Sequence, residues 1–211
     1  MSRMQSALEE RVNGVSHAVG ALLALIGWGW LLARAFSHGS GISVLAISLF
    51  CLALVAQFAV SSLYHLETRE SVKRVLHFWD HALIYVLIAG SYSPFALVAL
   101  RGSTGWRLFA FLWVVAVCGV IFKIKFTGRF NFMSTMVYLA MGWALVPVLK
   151  PLSENMSSAG LAWLVIGGIS YSVGALIYLC DNLKFNHVVW HMFVLFGGVS
   201  HLVAVSTVVS G

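Results

Sequence analysis

An all-α integral membrane protein, a bundle of seven transmembrane helices, is the fold class this sequence predicts. Three observations predict it. The chain is 60% hydrophobic and only 9% charged, against about 25% charged residues in a soluble domain. Its mean hydropathy is +0.92. Apolar runs of about 20 residues, the length that crosses a bilayer's hydrocarbon, recur along all 211 residues between short charged or Gly/Ser-rich segments.

The expected spans run from His17 to Phe36, Ile42 to Tyr64, Phe78 to Leu100, Trp106 to Phe122, Phe132 to Leu149, Leu161 to Cys180 and Val188 to Val209. A single domain covering 1–211 is expected, with 1–16 as a short cytoplasmic segment, and no soluble domain fits in the remainder. The first run is expected to be retained. Its apolar core is too long for a signal peptide, and Glu9 and Glu10 precede it where a signal would be basic. Cys51, Cys118 and Cys180 fall in or at the ends of apolar runs without paired spacing, so buried, reduced thiols are expected.

Loop charge gives an orientation. Arg3, Arg11, Arg69, Lys73, Arg74, Lys123, Lys125, Arg129 and Lys184 fall on the side of the N-terminus; Arg34, Arg101, Arg107 and Lys150 fall on the other. Nine against four, together the chain's 13 Lys and Arg, predicts a cytoplasmic N-terminus and an outside C-terminus. The same asymmetry, in contact with anionic lipid head groups, accounts for the formal charge of +6 without invoking nucleic acid. Membrane lipids are the expected partners.

Span parity places the polar residues whatever the orientation. His17 begins the first span, His65 closes the second, His77, Asp80 and His81 begin the third, and His187 and His191 begin the seventh. Six of the eight histidines therefore gather at the membrane face of the N-terminus. His38 falls in the first outer loop, and His201 lies about 15 Å deeper than His191, a packing or hydrogen-bonding position.

Within this cluster, Ser61 and His65 share a helical face four residues apart, as do His187 and His191. Asp80 is the one acid expected inside a span. Three imidazoles, a carboxylate and a hydroxyl from three helices are the inventory of a catalytic zinc site: neutral nitrogen donors, a position for water, and an acid to take its proton. Spacing leaves the ligand set open, because His77 and His81 form an equally spaced pair. Asp80 has Lys73 or Arg74 as alternative partners. The H-E-x-x-H protease motif is absent.

"ERVNGVSH", "SSLYHL", "HFWDHALIYVLIAGSYSPF" and "HVVWHMFVLFGGVSH" resemble, in combination and over essentially the whole chain, the progestin and adipoQ receptor family and its short bacterial hemolysin III type. The resemblance implies zinc held by His65, His187 and His191, with Asp80 reaching the metal through water and Ser61 close by, in a bacterial inner-membrane protein. Related ceramidase-like membrane hydrolases suggest cleavage of a lipid amide. The family's receptors carry a longer N-terminal region than the 16 residues before the first span here, so a hormone-receptor role is not expected. The leading expectation is a zinc-dependent hydrolase acting on a lipid amide or ester at the cytoplasmic leaflet. A regulator of membrane homeostasis with structural zinc comes second. A pore comes third, since no span shows a polar stripe through the bilayer.

Glu10, Asn13, Ser16 and His17 suggest a helix cap, with a lid over the inner face as the alternative. Pro94 is expected to kink the third span and free the carbonyl near Gly90 for neighbouring hydroxyls. Gly167, Gly168, Gly174, Gly197 and Gly198 are expected at close helix contacts.

Overall fold

Capping chemistry starts the first helix well before its apolar run. Ser6 Oγ accepts from Glu9 N at 3.3 Å, and Ser6 N donates to Glu9 Oε2 at 2.7 Å. This reciprocal box satisfies free amides at the helix start. α1 accordingly spans Ala7–His38, beginning ten residues before the expected span. The structure, a computed structural model, describes residues 5–38, 40–180 and 182–209 apart from the side chains of His38 and Val209. Arg3 of the charge count and the His38 side chain thus lie outside the described residues.

A second capping box, Ser40 with Ser43, opens α2 (Gly41–Leu66). α3 (Glu70–Pro94) continues as a π-helical turn over Phe95–Leu100, and α4 spans Gly102–Phe126. The fifth crossing is divided into α5 (Asn131–Gly142), a 3₁₀ turn at Val146–Val148, and α6 (Leu149–Asn155). α7 covers Ser158–Tyr178, with Ser157 as its cap, and α8 covers Asn186–Val209. Among the described residues there are seven helical stretches long and apolar enough to cross a membrane, and no strand. The protein is an all-helical integral membrane protein.

The third crossing, Glu70–Leu100, is the centre of the bundle: 72% of its apolar window is buried, against 28% for the first and 22% for the fourth. α2, α4 and α5 pack against α3, α1 pairs with α2 and α8, and α7 pairs with α8. At 31 residues the third crossing is about 46 Å long, more than the roughly 30 Å hydrocarbon core. Its start therefore projects beyond the expected boundary at Phe78.

Pro94 changes the winding of this helix. It stays in the helical region (φ −63, ψ −40), and the following turn is closed by Arg101 N on Ala96 O, a five-residue step. Proline cannot donate to the preceding turn, and a π turn is one accommodation. The nearby hydroxyls serve other carbonyls than the expected one at Gly90: Ser91 Oγ donates to Ile88 O and Ser93 Oγ to Ala89 O.

In place of the one helix expected, the fifth crossing breaks after Gly142, where Pro147 offers no N–H to the carbonyl of Trp143 and a side chain takes up freed backbone groups. Tyr92 Oη donates to Gly142 O at 2.6 Å and accepts from Leu145 N at 3.2 Å.

Four of the five expected glycine contacts are present. A Cβ on Gly174 or Gly197 would come within 2.7 Å of Phe193 or 2.8 Å of the Tyr171 ring, and Gly167 and Gly198 face His201 and Leu54 at 3.1 Å. Gly168 instead meets nothing within 4 Å, because it borders a cavity. All three cysteines are free, as expected, but burial holds only for Cys51. Cys118 and Cys180 are exposed on the bundle surface, where a thiol is apolar enough to face lipid.

Candidate metal centre

His65 sits one residue before the end of α2, and His187 and His191 occupy the first two turns of α8. Each offers a ring nitrogen, and these atoms lie within 4.8 Å of one another. Among the described residues, this is the one group of three or more His, Cys, Asp or Glu side chains with such spacing. The structure therefore brings together the three histidines that the family resemblance selects.

His77 and His81 also meet, with ring centroids 4.4 Å apart. There, however, His81 Nδ1 is spent on the His77 carbonyl at 3.0 Å. They are not part of the three-nitrogen group.

The protonation pattern of His65 follows from its neighbour. Its Nδ1 lies 2.8 Å from Glu10 Oε2. A carboxylate only accepts, so Nδ1 carries the proton, and in the neutral ring that a metal requires Nε2 is the donor atom. His65 Nε2, His187 Nε2 and His191 Nδ1 are all buried without a hydrogen-bond partner. Orphaned buried nitrogens are costly, and three converging neutral imidazoles suit a divalent metal such as zinc. The residues present fit the metal.

α1 forms the roof of this site. Glu10, Asn13 and His17 follow one another at intervals of three and four along one helix face. His17 is 2% exposed and stacks on His191, with centroids 3.7 Å apart and planes 12° from parallel. Asn13 is fully buried and donates to Gln5 Oε1 at 2.7 Å. Glu9 is the helical partner of Ser6 in the capping box, and its Oε1 also accepts from Phe185 N at 3.0 Å. Phe185 has φ +60, an unfavourable value for a bulky residue. That bond fixes the turn leading into His187. The capping expectation for Glu10 is thereby corrected: Glu10 lies past the cap and covers the site.

Asp80 is 7% exposed. Gln57 Nε2 donates to its main-chain oxygen at 3.1 Å and to Oδ1 at 3.4 Å, and His81 Nδ1 lies 3.8 Å from Oδ2. Lys73, an expected alternative partner, turns instead to Glu10 Oε2 at 3.4 Å. Asp80, Ser61, His17, His187 and His191 border one cavity of about 150 Å³ that continues past Leu87, Phe95 and Leu164 to His201. His201 stacks there on Tyr171 at 5.3 Å, a packing role as expected. Outside the spans, hydrogen bonds from the Arg69 side chain, then from its backbone, hold the half-buried Glu67 carboxyl down to about 2. This clamp fixes the turn between α2 and α3.

Seven apolar crossings with a three-imidazole pocket at one end define a heptahelical membrane protein with a candidate metal centre. The chain belongs to the haemolysin-III related family, whose sequence profile matches residues 5–202. It is 41% identical over 198 residues to Hemolysin-3 of Bacillus cereus, covering 93% of this chain and 90% of that protein. The Hemolysin-3 homolog of Bacillus subtilis (strain 168) is 39% identical over 192 residues, covering 91% and 90%. The human Monocyte to macrophage differentiation factor is 28% identical over 163 residues, covering 74% and 67%.

Proposed function

We propose that the protein is a zinc-dependent hydrolase of a lipid amide or ester bond, working at the cytoplasmic leaflet. The observation that carries this reading is the shared border of one apolar cavity by imidazoles of the metal centre, a buried carboxylate and a buried hydroxyl. Bound zinc supplies Lewis acidity for a carbonyl and makes water a usable nucleophile near neutral pH.

The chain's own residues do the rest. His65, His187 and His191 hold the metal as neutral donors, and Glu10 fixes the ring and tautomer of His65. Asp80, steadied by Gln57, is placed as the proton acceptor. Ser61, one turn from His65, supplies a hydroxyl donor for the substrate carbonyl. The walls at Leu87, Phe95 and Leu164 shelter an acyl chain and exclude water. The cytoplasmic placement rests on the nine-to-four distribution of Lys and Arg.

One observation favours a second reading, a non-enzymatic regulator with structural zinc. The donors join α2 to α8, helices that otherwise meet little, so a metal here would also staple the bundle. The test is to incubate the purified protein in lipid nanodiscs with N-acyl and ester lipids, zinc-loaded and chelated, and to follow fatty-acid release by mass spectrometry. Zinc-dependent release that His191→Ala abolishes supports the hydrolase. Zinc-replete protein that releases nothing from either class, and melts on chelation, supports the regulator and sinks the hydrolase.

A further inference from the structure

Lys123 lies three residues before the end of α4 and borders the same cavity as the histidines. It is 0% exposed, and its Nζ has no hydrogen-bond partner. A buried ammonium without a counter-charge is among the most expensive groups a protein can carry. A lysine near a span end ordinarily extends to the interface, and this one is folded inward.

Its surroundings share one deficiency. Asn131 and Ser134, in the first turn of α5, border the cavity as well; Asn131 Oδ1 is buried without a partner, and the buried Ser134 hydroxyl faces that of Tyr85. The imidazoles of His77 and His81 lie within electrostatic reach of Lys123. Among the described residues, Asp80 is the single acid bordering the cavity, and it is engaged by Gln57 and faced by His81. Glu10 is committed to His65 and Lys73. The corner thus holds a cation, a hydroxyl and an amide able to turn either end inward, and among the described residues no carboxylate is bonded to that cation.

We propose that Lys123 and the Ser134 hydroxyl form an anion subsite of the cavity, taking the phosphate or carboxylate headgroup of an amphiphile whose chain lies along the apolar wall. The choice of an amphiphile rests on the lipid reading above; the anion chemistry does not. An ammonium with three donors and an adjacent hydroxyl suit the several acceptor oxygens of a phosphate or carboxylate. The entering anion supplies the counter-charge that the fold leaves out.

Full-length protein in neutral detergent micelles is titrated calorimetrically with dodecyl phosphate, dodecanol of the same chain length, and inorganic phosphate. A charge-assisted contact predicts that dodecyl phosphate binds about tenfold or more tightly than dodecanol. Lys123→Met should erase that preference while leaving dodecanol binding intact, Lys123→Arg should retain most of it, and Ser134→Ala should reduce it. The preference should persist in His191→Ala, which removes a metal donor, so loss of lipid turnover there bears on the hydrolase and not on this subsite. Inorganic phosphate that displaces dodecyl phosphate at equal concentration supports the subsite and assigns it to a soluble anion. Equal affinity for dodecyl phosphate and dodecanol overturns the proposal, even if Lys123→Met fails to fold. So does a preference that Lys123→Met leaves unchanged.

Discussion

Glu10 of α1 and His65 of α2 are joined by a 2.8 Å contact between Oε2 and Nδ1, at a side chain of His65 that is fully buried. This carboxylate decides which His65 nitrogen is free to bind metal. Glu10→Gln keeps the shape but no longer selects the tautomer, so zinc affinity should fall about 10- to 100-fold, the usual cost of losing such an outer partner. Competition with a chromophoric chelator measures it. An unchanged affinity would mean that α1 only covers the centre.

Replacing His65, His187 or His191 by Ala should remove most bound zinc, measured by elemental analysis of purified protein. His77→Ala and His201→Ala should leave it largely in place, since their rings lie outside the three-nitrogen group. Full zinc occupancy in His187→Ala would reject this donor set.

Asp80→Asn separates chemistry from architecture. With Asp80 as proton acceptor, the variant should retain zinc and melt at or slightly above the wild-type temperature, because a buried carboxylate near hydrocarbon is costly, while turnover falls about 100-fold or more. A folded, zinc-replete variant with full activity removes Asp80 from the mechanism.

How far these positions can be read from the sequence depends on what each one requires. Apolar run length specifies seven crossings, and helical parity gathers six histidines at one face, because both depend only on local periodicity. The choice between His187 and His77 comes from the resemblance, since four-residue spacing is the same in both pairs. Glu10 was legible in principle: Glu10, Asn13 and His17 repeat at three- and four-residue intervals that continue the first helix face. The sequence leaves cap and lid both open there, and the packing of α1 over α2 and α8 decides for the lid. By sequence Lys123 reads as a loop charge, because inward folding leaves no periodic trace.

Helix contact predicts an asymmetric pair of glycine variants. Gly197→Ala places a methyl 2.8 Å from the Tyr171 ring and should destabilise by about 1–3 kcal/mol. Gly168→Ala meets open space and should stabilise by about 0.5–1 kcal/mol through helix propensity. Thermal unfolding in one detergent compares them. Equal effects would contradict the packing of α7 against α8.

Topology is tested separately. A cytoplasm-active reporter fused to the C-terminus should be silent if the charge asymmetry sets the orientation. Activity there would invert the bundle and move the metal centre to the opposite leaflet, with its residues unchanged.

The division of the fifth crossing bears on biogenesis. Gly142 O and Leu145 N find their partner in the hydroxyl of Tyr92, on another helix, and hydrocarbon offers no substitute for it. The fifth segment therefore cannot reach its mature form as an independent inserted rod. Its mature form depends on contact with the third segment, which synthesis delivers first, so synthesis order and structural dependence run in the same direction. A phenylalanine at position 92 would leave that contact without the hydroxyl that completes it.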